Sequence, residues 1–158
     1  VKKQRSKNLI GRREQVDFPD LGIFGITAKI DTGAYTTAVH CHDIHVKDGV
    51  LHFKLLDPGH PEYNEQNHSS QDFSQKDIRN SFGESERRYL IRTRVQMGKR
   101  IVKSLISLTN RGTMRYPVLI GRKFLKGRFV VDVSKLNLAL LDIQTNPDTH
   151  SGNPKKTI

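Results

Sequence analysis

Only one cysteine, Cys41, occurs in the 158 residues. No internal disulfide can form, so stability has to come from core packing and from association with another chain. No run of apolar residues approaches the length needed to cross a bilayer, and the basic N-terminus has no apolar stretch behind it. The chain therefore reads as soluble and cytoplasmic, although Val1 in place of Met leaves room for an initiator or leader removed beforehand. No amphipathic helical pattern reaches ten residues, and no repeat divides the chain into equal halves. These gaps argue against a helical bundle and an internally duplicated protein. Acidic residues are also scarce, 16 against 27 lysines and arginines, which leaves a net charge of +11. A surface of that sign draws polyanions, and three classes of partner fit it: nucleic acid, an anionic membrane surface and an acidic peptide.

Short β-prone runs separated by turn signals fill most of the sequence. They fall at Leu9-Ile10, at Val16 with Phe18, and over 23–30, 44–46, 50–56, 89–97, 101–108, 116–121 and 129–133. Asp48-Gly49 between apolar runs is a strong hairpin signal, and Gly98-Lys99-Arg100 turns a second hairpin. Residues 1–8 read as a flexible basic arm and 143–158 as a loose tail. Residues 57–88 are rich in Pro, Gly, Asn, Gln, Ser and charge, with Tyr63, Phe73, Ile78 and Phe82 as scattered anchors. That stretch reads as a long, mobile insertion able to serve as a lid. One short helix is predicted near 122–126. The expectation is a single all-β domain over 9–142, a barrel or a sandwich.

Asp31-Thr32-Gly33-Ala34 follows a predicted strand over 26–30, which places a carboxylate on a tight turn at a strand end. Some ninety residues later comes Val118-Leu119-Ile120-Gly121-Arg122, an apolar strand, a glycine and an arginine. In this pair of motifs, and in their order, the chain resembles the retropepsins. More narrowly, Ile10-Gly11-Arg12-Arg13-Glu14, Lys29-Ile30-Asp31-Thr32-Gly33-Ala34 and Arg115-Tyr116-Pro117-Val118-Leu119-Ile120-Gly121-Arg122 are similar to a bacterial retropepsin-like family. That family is RimB-like, has been labelled an ATP-dependent zinc protease, and is found beside glutamate ligases of the RimK type. The resemblance spans roughly 9–141.

It implies a closed or partly closed retropepsin barrel with one short helix, and an aspartic endopeptidase with Asp31, Thr32 and Gly33 as its catalytic segment. Peptide hydrolysis by carboxyl groups alone needs an acid and a base beside one water, which two carboxyls sharing a proton supply. One triplet supplies one carboxylate, so a homodimer is required to bring two copies of Asp31 together. The resemblance further implies that Thr32 bonds across the dimer and that Gly33 lets backbone N–H groups approach the carboxylate. By the same resemblance Ala34 keeps the floor small, Gly121 lets the second loop pass behind the turn, and Arg122 braces it through an ion pair. Arg12, Arg13 and Tyr35 are weaker candidates for substrate contact. Retroviral chains carry an acidic residue where this one has Tyr35, so substrate preference does not transfer. The neighbourhood of glutamate ligases implies an acidic, glutamate-tailed protein substrate, and the net charge favours the same class independently.

His40, Cys41, His42 and His45 are clustered and include zinc-ligand types. There is no His-Glu-x-x-His stretch, and on a strand Cys41 points away from His40 and His42. No cofactor is expected, and the absence of a Gly-x-x-x-x-Gly-Lys-Ser/Thr loop leaves ATP dependence unsupported. Cys41 reads as a structural thiol. A nucleic-acid or ribosome-binding dimer without turnover is the rival reading, motivated by the charge.

Overall fold

The computed structural model describes residues 6–79, 82–110 and 115–145. Its strands are β1 (Asn8–Ile10), β2 (Arg13–Phe18), β3 (Ile23–Ile30), β4 (Thr37–Lys47), β5 (Val50–Leu55) and β6 (Asn67–Ser70), then β7 (Ser74–Arg79), β8 (Ser85–Met97), β9 (Arg100–Thr109), β10 (Val118–Ile120) and β11 (Phe129–Val131). A single 3-10 turn over Pro19–Leu21 and two short α-helices, α1 (Arg122–Leu125) and α2 (Leu138–Thr145), complete the described elements. Strands β3, β2, β8, β9, β4 and β10 form a closed six-stranded ring, because β10 pairs in parallel with β3 and antiparallel with β4. The all-β barrel is thus the observed architecture.

Alternation explains why these segments curl around one core. In β2 Glu14, Val16 and Phe18 are buried while Arg13, Gln15 and Asp17 are less so. In β5 Leu51, Phe53 and Leu55 face inward, and in β8 Ile91, Thr93, Val95 and Met97 do the same. The β4–β5 hairpin turns through Asp48 and Gly49, with φ of 52° and 75°. Both central residues are left-handed, as the tight turn matched to strand twist requires. Strand β4 changes role along its length. Thr37–His40 lie in the barrel between β9 and β10, and past a register shift near Asp43 the chain pairs only with β5.

The structure corrects three expectations. The fold has two short helices among the described residues rather than one. The second begins where Glu14, fully buried on β2, accepts the N–H groups of Leu138 (3.0 Å) and Ala139 (2.7 Å). A carboxylate there satisfies donors that a helix start otherwise leaves unpaired. The helix reaches Thr145, past the expected tail boundary at 143; the rest of that tail lies outside the described residues. At the other end, residues 1–5 of the expected arm are likewise outside them, and residues 6–8 are held. Arg100 donates to Ser6 O and Asn8 Oδ1, both at 3.0 Å, and Asn8 begins β1, which runs parallel to β11.

The third correction concerns residues 57–88, expected as a long, mobile insertion with no strands before Tyr89. They contribute β6, paired with β5, and β7, paired with β8, and β8 itself begins at Ser85. Strands so polar carry little periodic signal, because backbone pairing rather than an apolar face holds them. Their anchors are few. His68 is buried and stacks on Phe53, centroids 5.5 Å apart, and Phe73 meets Tyr89 edge-on at 6.0 Å.

Candidate active site

Asp31 is the first residue after β3. Parallel pairing of β3 with β10 carries on into the turn, where Asp31 N–H donates to Ile120 O at 2.9 Å. The turn then doubles back, with Ala34 N–H reaching Asp31 O at 3.2 Å. The half-buried Asp31 carboxylate accepts the Gly33 N–H through Oδ1 at 3.0 Å. A Cβ on Gly33 would stand 3.3 Å from that same oxygen, so the glycine keeps the carboxylate's approach to the backbone open.

The second loop clamps this turn from behind. Three successive N–H groups, those of Gly121, Arg122 and Lys123, donate to Thr37 Oγ1 (3.1 Å), Ala34 O (2.8 Å) and Tyr35 O (3.0 Å). Gly121 is where the segments touch most closely. A Cβ there would lie 2.7 Å from Tyr35 O and 2.8 Å from Thr36 C, distances that backbone atoms do not allow. Arg122 is held by a backbone carbonyl and a ring instead of the carboxylate expected for it. Its Nη1 donates to Thr32 O at 3.0 Å, and its guanidinium lies 5.8 Å from the centre of the exposed Tyr35 ring. The Thr32 side chain is exposed.

Beside the turn lies a cavity of about 460 Å³ whose wall includes Ile30, the residue preceding Asp31. Arg12, Arg13, Lys29 and Arg115 line it together with Tyr116 and Val133, and among the described residues no carboxylate does. Arg12 is oriented by Val133 O (3.2 Å) and Arg13 by the Tyr116 hydroxyl (3.1 Å). The guanidinium groups of Arg13 and Arg115 lie 5.9 and 5.5 Å from the Tyr116 ring centre. The geometry therefore brings Arg12 and Arg13 together at one wall, close to the Asp31 turn. Lys29, Arg115 and Tyr116 were not singled out for that wall in the sequence, although all three stand inside the motifs quoted. The signal that would have found Lys29 is strand alternation, since it is exposed between the buried Ala28 and Ile30.

The histidine cluster is dispersed. His40 Nε2 donates to Asp57 Oδ1 at 2.7 Å, His42 Nδ1 donates to Leu56 O at 2.7 Å, and His45 stacks on His52 at 5.2 Å. Cys41 is buried and donates to Val39 O at 3.4 Å, and burial pushes its thiol far above the ordinary cysteine range. Among the described residues no three metal-ligating side chains converge.

Comparison with known proteins gives this architecture relatives. A probable alpha-L-glutamate ligase of Shewanella pealeana is 33% identical over 138 residues, covering 82% of this chain and 29% of that protein. One from Desulfotalea psychrophila is 31% identical over 135 residues, covering 80% and 28%. The chain thus spans less than a third of the length of the curated relatives it matches. A crystal structure of a protein with unknown function from Legionella pneumophila superposes with a TM-score of 0.62 at 21% identity, covering 85% of this chain and 99% of that one, which supports the fold. Residues 9–140, containing the Asp31 turn and the Gly121 loop that clamps it, match the RimB-like family, described as retropepsin-like aspartic endopeptidase RimB, and the chain belongs to that family.

Proposed function

We propose that this chain is an aspartic endopeptidase whose active unit is a homodimer, with Asp31 from each copy forming the catalytic pair. The observation that carries the reading is the Asp31 carboxylate, held by the Gly33 N–H in a turn that the Gly121–Lys123 backbone clamps at three points. One carboxylate takes a proton from water as the water oxygen attacks the peptide carbonyl. The other, protonated, passes its proton on so that the amide nitrogen leaves as an amine. A single chain contributes one such group, so the second has to come from a copy related by a two-fold axis. Thr32, Gly33 and Ala34 shape the turn, while Gly121 and Arg122 hold it. Leu9 and Val130, register partners on β1 and β11, are 48% and 51% exposed and supply apolar area for such an association.

The substrate class we assign is acidic peptide, in particular a glutamate-tailed protein. Four cations that form no ion pair among the described residues line the cavity beside Asp31, where they would attract and orient successive side-chain carboxylates. The name of the relatives, probable alpha-L-glutamate ligase, concerns glutamate addition by those proteins and is compatible with a hydrolytic domain acting on the same kind of chain. The test is hydrolysis of an oligoglutamate-tailed peptide by wild-type and Asp31→Asn protein. The variant is expected to lose activity by on the order of 10²–10⁴-fold or more while keeping its thermal stability. Equal turnover by the two would rule out the assignment of Asp31. The net charge of +11 also favours a second reading, a nucleic-acid-binding module. Salt-sensitive binding of random RNA, with no peptide hydrolysis at any protein concentration, would select it.

A further inference from the structure

A second basic cavity shares no lining residue with the one beside Asp31. It has a volume of about 90 Å³ and is bounded by β8, β9, α1 and the loop after α1. Arg92, Lys103, Lys123 and Arg128 line it with Thr37 and Ser104, and among the described residues no carboxylate does. The nearby Asp20 takes a two-point contact from Arg94, at 2.9 and 2.6 Å, and Lys103 adds only a lesser electrostatic pull on it, with no ion pair formed. None of the four lining cations forms an ion pair among the described residues. Arg128 is fixed in place, since its Nη1 donates to Phe124 O at 3.0 Å and, at 3.4 Å, to Lys123 O. Thr37 accepts the Gly121 N–H, which leaves its own proton to donate.

Four cationic residues share this wall and, among the described residues, no carboxylate does, so their fields add in the cavity and favour an anion there. The cavity volume is well above the roughly 10–15 Å³ that a single water requires, so there is room for one tetrahedral oxyanion. We propose that this cavity binds a single phosphate group, free or as a phosphomonoester, with Lys103, Lys123, Arg92 and Arg128 as its cationic partners. Two of its walls, Thr37 and Lys123, are also anchor points of the Asp31 turn through the Gly121 N–H and Tyr35 O, so an occupant would stiffen that turn. The binding claim is independent of the peptidase reading, because it concerns a ligand and a cavity that hydrolysis does not use.

The test uses the full chain and inorganic phosphate, with sodium chloride at matched ionic strength as the control. Phosphate is expected to raise the melting temperature by several degrees over chloride, and to slow backbone hydrogen exchange over residues 102–105 and 122–128. The Lys103→Gln/Lys123→Gln double variant, altered at two exposed side chains, should fold and lose both effects. A Lys29→Gln/Arg115→Gln variant, altered in the cavity beside Asp31, should keep them. A phosphomonoester run in parallel tells the two sources apart, since a site for free phosphate alone would respond to the inorganic ion only. The proposal is overturned if phosphate has no effect beyond chloride. It is equally overturned if the effect survives in the Lys103/Lys123 variant, or if exchange protection falls on residues 12–13 and 115–116 instead.

Discussion

Gly121 lies 2.7 Å, measured from the position of an added Cβ, from the carbonyl oxygen of Tyr35. Alanine there has to push either the Asp31 turn or the loop that clamps it, and both are backbone. Gly121→Ala should cost about 1–3 kcal/mol of stability, as overpacking does, and lower peptidase turnover by about tenfold or more through misplacement of Asp31. Urea unfolding combined with steady-state kinetics checks both halves. His68 makes a different prediction at the same scale. It is 7% exposed, its Nε2 has no partner among the described residues, and burial holds its pKa below the ordinary histidine value. Near pH 6.5 the unfolded chain takes up a proton that the folded chain resists. More protons on the unfolded state mean that stability falls as pH drops through about 6.5 toward the lower folded value, and is retained above it. Melting curves at about pH 7.5 and 5.5 should show a drop of a few degrees that is smaller in His68→Phe.

Among the elements, α2 depends on a residue 124 positions away from its start. Glu14 accepts the N–H groups of both Leu138 and Ala139 from a fully buried position. Glu14→Gln keeps one good acceptor and presents an amide N–H₂ to the other donor, so it should destabilise the fold by about 2 kcal/mol, measurable by urea denaturation. This contact also explains why α2 was not legible in the sequence. Its local start, Asn137, has a φ of 54°, and the cap comes from β2, which no window along the chain can see. The barrel strands, by contrast, were readable because each carries its own alternation and its own turn residues, as Val16 with Phe18 and Asp48 with Gly49 show. Strands β6 and β7 have neither, since pairing to β5 and β8 forms them, and so 57–88 looked structureless. For the candidate site, Asp31 and Gly121 stood out because a short motif fixes backbone conformation locally. Of the cationic wall only Arg12 and Arg13 were singled out; Lys29 and Arg115 were not, because they come from separate segments and meet the others only in the folded barrel.

For the whole molecule, charge and assembly govern behaviour. With 27 basic residues against 16 acidic ones, capture of the proposed acidic substrate would be a long-range effect as well as a local one. Raising salt across one Debye regime should therefore raise KM for an oligoglutamate-tailed peptide several-fold with little change in kcat. Lys29→Gln/Arg115→Gln should flatten that dependence. The central claim, however, is that one chain holds half of a catalytic pair. It is tested most directly by mixing wild-type with Asp31→Asn chains at fixed total concentration, after time for subunits to exchange, and measuring peptide hydrolysis against composition. If two copies of Asp31 act together, mixed dimers are dead and activity follows the square of the wild-type fraction, falling to about one quarter in an equal mixture. A linear decline, to about one half, would mean that each chain is catalytically complete and would contradict the account.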